Sequence, residues 1–183
     1  MYRKRNGLKK SSDQFVRQCL GNFLDEDPSS LNISRHPSGQ PLVEYQVPVY
    51  FSLTHSGDFS SLACSLNFDL GLDLQVHQHF NPNLFSTLCT KSELASLKEL
   101  NQENFFKIWT IKEAALKCLG LGLRFPMNQL HINFDNNHIE VLSDQTKYNW
   151  LTYAELSLFE NSTTHLVWNR NDRKPNMVLI SEV

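Results

Sequence analysis

The segment LGLDLQV, residues 70–76, constrains the fold more tightly than any other part of this chain. Leucine or valine recurs at positions 70, 72, 74 and 76, the period of a β-strand, so those four side chains share one face. Asp73 and Gln75 then point together to the opposite face. A carboxylate there stands at the edge of a core. Burying it unpaired is costly, so it requires a partner or a cation.

A partner comes from the longest helical pattern, residues 104–119, which Gly120 and Gly122 close. Trp109, Glu113 and Lys117 follow one another by four and form one stripe of this helix. Ile108, Ile111, Ala115 and Leu119 form the neighbouring apolar stripe, expected to face the core. In isolation Glu113 and Lys117 read as a surface ion pair worth about 0.3–0.5 kcal/mol. Set beside Asp73, Glu113 supplies a second hard oxygen donor of the kind Mg²⁺ prefers, with phosphates and waters completing its shell. Two carboxylates with a lysine and a histidine nearby describe a phosphoryl-transfer site, the cations positioning the phosphates.

The remaining pattern is mixed. Phe15, Cys19, Leu20 and Phe23 recur at helical spacing in residues 12–24, with Ser12 or Asp13 as N-cap and Pro28 in the loop beyond. HPSGQP, residues 36–41, is a turn between short extended segments; LVEYQ, VYFSLTH and SSLACSLN read as strands. Residues 83–100 are helical in two pieces broken near Thr90, SELASLKEL being the better one. Past Phe125 come short strands: QLHINFD, HIEVLS, WLTYAELSLF, THLVWNR and NMVLISEV, with a hairpin turn at residues 135–137. Two helix-plus-strand units meet around residues 67–69, which predicts an α+β fold of two lobes, 1–67 and 68–183, rather than one doubly wound sheet.

Composition removes other function classes. With 40% hydrophobic and 20% charged residues in 183, the chain can bury a core and is not disordered. A net charge of -2 argues against a nucleic-acid binder. Five of the 17 basic residues nevertheless fall in the first ten positions, either as a solvated end or as a phosphate-facing edge. The four cysteines lack metal or CxxC spacing and sit among apolar residues, which suits a reducing cytoplasm. No apolar run reaches membrane-spanning length, and the basic N-terminus lacks a signal-peptide core. His77 and His79 alternate like a metal pair, though solvated strand-end histidines are the plainer reading.

His55 ends an apolar strand just before Ser56-Gly57; adjacent strand residues face opposite ways, which disfavours a Ser56–His55 nucleophilic dyad. Here FSLTHSG resembles the FNxSHSG motif of the Sfp-type 4'-phosphopantetheinyl transferases. LGLDLQ resembles their GxDxE motif, and WTIKEAALK their W-[ST]-x-KE-[AS]-x-x-K motif. The three stand in family order, with 18 residues from His55 to Asp73 and 40 from Asp73 to Glu113.

The resemblance implies a pseudo-twofold pair of α+β lobes with the active site in the cleft between them. It implies an enzyme that moves 4'-phosphopantetheine from coenzyme A to a serine of an apo acyl or peptidyl carrier protein, with Mg²⁺, releasing adenosine 3',5'-bisphosphate. Asp73, Glu113 and, at the third acidic position, Gln75 correspond to the metal site. Lys117, His55 and Ser56 correspond to coenzyme A contacts, and Arg17 to the 3'-phosphate contact. Glu93, in CTKSEL, or Glu113 corresponds to the base for the carrier serine, with Lys117 beside it. Two departures stand out: Gln75 replaces a Glu, and Gln40 replaces a Lys or Arg that helps hold the nucleotide. The expectations are a cytoplasmic monomer without nucleic-acid or membrane partners. Another metal-dependent phosphoryl-transfer enzyme, or a non-catalytic coenzyme A or carrier-protein binding module, remains the alternative.

Overall fold

The computed structural model describes residues 2–4, 12–36, 40–143, 146–169 and 171. Among them the strands are β1 (Tyr2–Lys4), β2 (Asn32–Arg35), β3 (Pro41–Glu44), β4 (Tyr50–Ser56), β5 (Phe59–Ser65), β6 (Leu70–Val76), β7 (Leu130–Asn133), β8 (His138–Val141), β9 (Trp150–Glu155) and β10 (Ser162–Asn169). The helices are α1 (Ser12–Leu24), α2 (Phe85–Leu88), α3 (Lys91–Ser96) and α4 (Gln102–Leu119). Three antiparallel sheets result: β1-β5-β4, the β2-β3 hairpin, and a five-stranded sheet ordered β6-β10-β9-β8-β7. The fold is α+β, as the sequence predicts.

Helix α4 forms where its caps permit. The Asn101 side chain accepts the Asn104 N–H at the start, and Gly120 ends it in the left-handed region at φ 69°, its N–H returning to the last turn. Between the caps the helix lies across β6 and β10 and is buried on almost every side. Its apolar positions Ile108, Ile111 and Ala115 join Leu130, Ile139, Leu151 and Val167 in the largest core. Leu119, assigned to the same stripe, is only partly buried at its edge.

β6 is therefore covered on both faces. Leu70 and Leu72 pack with Leu166 and Trp168 on one side. On the other, Gly71 and Asp73 lie under α4, where a Cβ on Gly71 would sit 1.8 Å from the Ala114 carbonyl oxygen and 2.7 Å from the Cys118 nitrogen. Only glycine admits a helix at that distance, and the approach is what brings α4 side chains down to Asp73.

Several expectations shift. The helical stretch 83–100 is a 3₁₀ turn at Pro82–Leu84 followed by α2 and α3, broken at Cys89 and Thr90 as anticipated. SELASLKEL stops being helical at Leu97, because α3 is a short capped turn held by Thr90 and Glu93. β1 pairs with β5, so residues 2–4 of the basic N-terminus are a strand; positions 5–10 and the segment NMVLISEV lie outside the described residues. β2, unforeseen, forms a hairpin with β3 across the expected turn. No helix among the described residues is long and apolar enough to cross a membrane.

Candidate active site

The site assembles where β4, β6 and α4 meet. Asp73 is 1% exposed, and its Oδ1 accepts hydrogen bonds from Lys117 Nζ at 2.7 Å and Thr54 Oγ1 at 3.1 Å. Its Oδ2 accepts from Gln75 Nε2 at 3.4 Å. Lys117 Nζ also donates to the Leu72 carbonyl at 3.0 Å, while 30% of the side chain stays exposed. The ion pair expected within the helix, Glu113 to Lys117, is thus replaced by a longer-range one, from α4 to β6.

Glu113, one turn before Lys117, lies within hydrogen-bonding reach of Asp73. Burial first, and then the Asp73 charge, push its carboxyl up to about 7, although Lys117 opposes the shift. The Lys117 ammonium pairs with Asp73, and near neutrality the Glu113 carboxyl is poised to hold or release a proton. Hard oxygen donors under mutual repulsion are the arrangement a divalent cation relieves, so these residues fit Mg²⁺. Among the described residues there is no group of three or more His, Cys, Asp or Glu suited to a metal, so exogenous oxygens would have to complete the shell.

Gln75 is half-buried and holds its amide between the strands: Nε2 reaches Asp73, and Oε1 accepts from Ser56 Oγ at 3.3 Å. Its carbonyl, the atom an amide offers to a cation, accepts this one hydrogen bond, and its amide nitrogen braces Asp73 without adding charge. Ser56 Oγ accepts the Val76 N–H at 2.9 Å and is not paired with His55. His55 is exposed on β4 between Thr54 and Ser56. Arg17 is half-buried on α1, whose apolar side packs on Phe51 and Leu62. Gln40 is exposed, and its carbonyl accepts the His36 N–H.

Glu93 has a different place. It is 1% exposed, with Oε2 accepting from Lys112 Nζ at 2.7 Å and the Thr90 N–H at 2.6 Å, and Oε1 accepting the Ile132 N–H at 2.7 Å. Lys112 Nζ donates further to the carbonyls of Leu88 and Met127. This fully occupied, buried carboxylate ties α3, α4 and β7 together and is ill-suited to take a proton from a docked serine. Of the two base candidates, Glu93 or Glu113, this geometry favours Glu113.

Sequence reasoning also missed His165. It is fully buried on β10, directly across from Asp73, and burial pushes its imidazole down to about 3. Thr110 Oγ1 donates to the Phe106 carbonyl, so His165 Nδ1–H donates to Thr110 at 2.7 Å and the ring is neutral. His77 bonds Thr163 and stacks on Phe106, whereas His79 is exposed; neither forms part of a metal pair. Trp109 stacks on Phe105 and packs at the edge of the main core.

Residues 69–167 match the model of the 4'-phosphopantetheinyl transferase superfamily, and the chain belongs to that family. It is 27% identical over 155 residues to the 4'-phosphopantetheinyl transferase gsp of Aneurinibacillus migulanus, covering 79% of this chain and 61% of that one. To the 4'-phosphopantetheinyl transferase Sfp of Bacillus subtilis it is 22% identical over 125 residues, covering 66% and 55%. The chain thus spans little more than half the length of these relatives. The crystal structure of Thermotoga maritima holo-acyl-carrier-protein synthase superposes with a TM-score of 0.46 at 19% identity, over 55% of this chain and 62% of that one.

Proposed function

We propose that this chain transfers the 4'-phosphopantetheine arm of coenzyme A to a serine hydroxyl of an apo acyl or peptidyl carrier protein. The carrying observation is the Asp73–Glu113–Lys117 cluster, built from two separated motifs and held by a 2.7 Å ion pair. In the reaction the serine oxygen attacks the pantetheine-side phosphorus of the pyrophosphate. A new P–O bond forms, the bond to the nucleotide-side oxygen breaks, and adenosine 3',5'-bisphosphate leaves with the electron pair. Asp73 and Glu113 would hold Mg²⁺, which when bound would neutralise charge on the pyrophosphate.

The protein's own groups do the positioning. Lys117 spans Leu72 and Asp73, which fixes its ammonium beside the carboxylates while its exposed part can meet a phosphate. Glu113 is the better-placed acceptor for the serine proton, because it stands at the cluster with Asp73, whereas Glu93 is tied to Lys112 and Ile132 in the core. His55 and Ser56 would approach the coenzyme A phosphates from the end of β4, and Arg17 the 3'-phosphate. A division into lobes 1–67 and 68–183 is supported by two separate cores, Phe15 to Leu62 and Phe85 to Val167. A cytoplasmic monomer completes the proposal: three of the four cysteines are buried, as small apolar side chains are, and the cluster draws its residues from one chain.

The test incubates the protein with coenzyme A, Mg²⁺ and several apo carrier proteins, then weighs the carriers by intact mass spectrometry. A phosphopantetheine adduct is expected, lost on removing Mg²⁺ and in Asp73→Ala. Unmodified carriers throughout would refute catalysis and leave a binding module.

A further inference from the structure

β6 ends the five-stranded sheet, so the N–H groups along its outer edge need acceptors from elsewhere. β4 supplies them with side chains. The N–H groups of Leu72 and Leu74 donate to Ser52 Oγ at 2.9 Å and Thr54 Oγ1 at 3.1 Å, and that of Val76 donates to Ser56 Oγ at 2.9 Å. Three hydroxyls at every second position of one strand thus stand in for the carbonyls of a missing neighbour. Two of them also donate onward: Thr54 to Asp73 Oδ1 and Ser56 to Gln75 Oε1. Ser52 shares the ladder without touching a site side chain named above.

We infer that this hydroxyl clasp makes Thr54 a positioning residue: by accepting the Leu74 N–H while donating to Asp73 Oδ1, it fixes the rotamer in which Asp73 meets Lys117 and Glu113. Alone, Lys117 holds one oxygen of a carboxylate that can still rotate about its own bond. Thr54 meets the same oxygen from a different strand, and Gln75 holds the other, so the plane of the group is set. The oxygens are therefore preorganised toward a cation instead of being ordered by it, which raises affinity by removing that ordering cost. Thr54 is 3% exposed, so no water can replace its hydroxyl without repacking.

The inference rests on the proposed coenzyme A and metal reading, and the test separates the two. Mn²⁺ binding is measured by electron paramagnetic resonance in the presence of coenzyme A, for the wild type, Thr54→Val, Thr54→Ser and Ser52→Ala, with urea midpoints for each. Thr54→Val should weaken Mn²⁺ binding about tenfold, the usual worth of a hydrogen bond to a charged group. Thr54→Ser should restore it to within about threefold. Ser52→Ala, which loses an equivalent ladder bond, should lower the urea midpoint while leaving Mn²⁺ binding near wild type. Should Thr54→Val fail to fold, Thr54→Cys, with its weaker donor, carries the same comparison with an expected loss of about threefold. Wild-type binding that Thr54 variants leave unchanged, or that Ser52→Ala weakens equally, overturns the positioning role. Absence of coenzyme A-dependent Mn²⁺ binding in the wild type overturns the functional reading and this inference with it.

Discussion

Placing a methyl group on Gly71 tests the contact on which the whole site depends. The Cβ of Gly71→Ala would lie 1.8 Å from the Ala114 carbonyl oxygen and 2.7 Å from the Cys118 nitrogen. Contacts below 3.0 Å are essentially never seen, so β6 and α4 must separate by at least 1.2 Å at this point. Both obstacles are backbone atoms, so no side-chain rotation can relieve them, and the Ala114→Gly change offers no rescue. Overpacking of a close-packed core costs about 1–3 kcal/mol, and a backbone obstacle places this case at or above the upper end.

The same separation carries Glu113 and Lys117 away from Asp73, stretching a 2.7 Å ion pair toward 4 Å. Displacements of about 1 Å at a reacting centre cost on the order of 100-fold in rate. Urea denaturation should therefore show a loss of about 3 kcal/mol. At a temperature where the variant is still folded, carrier modification should fall on the order of 100-fold. A Gly71→Ala protein within about 0.5 kcal/mol of wild type and fully active would refute the claim that this close approach builds the site.

The buried pair of Lys112 and Glu93, both side chains 0% exposed, makes a second test: Lys112→Met leaves an uncompensated carboxylate and should cost about 3–5 kcal/mol by urea denaturation. Lys112→Met with Glu93→Gln should cost clearly less than the sum of the two single changes; strict additivity would show that the pair does not act as a unit. The Glu113 carboxyl gives a third, through pH. Its folded value of about 7 lies above the ordinary 4.5, so the folded state holds the proton more tightly, and metal-free stability falls as pH rises from about 4.5 to 7. Discounted for partial exposure, the penalty above pH 7 is about 1–2 kcal/mol. In thermal melts with chelator, Glu113→Gln should therefore be the more stable protein at pH 8 and equal to wild type near pH 4.5; the same gap at both pH values would exclude titration of Glu113 as its source.

Legibility from sequence followed the range of the forces involved. Period two placed Asp73 and Gln75 on one face of β6, and period four put Glu113 and Lys117 on one stripe of α4, because both are local geometry. Which elements then met was not local. Lys112 sits next to Glu113 in the sequence and carries the same kind of charge as Lys117, yet it is sealed in the core, while Lys117 bridges to Asp73. The difference is an angle of about 140° around one helix, and it acquires meaning only once α3 and β7 are seen to cover one side of α4 and β6 the other. Glu93 illustrates the converse: a motif position suggested a base, whereas three hydrogen bonds, one of them from a buried ammonium, make it a structural anchor. Gly71 carried a structural signal that its type alone left ambiguous, since a glycine within a strand marks either a bulge or a close approach. The Ser52, Thr54 and Ser56 hydroxyls were least legible of all, three small polar residues in an apolar strand whose regular spacing matches the free N–H groups of a strand 20 residues later. That spacing is the signal that was available: hydroxyls at every second position of a buried strand have to find partners, and an unpaired sheet edge is where such partners are found.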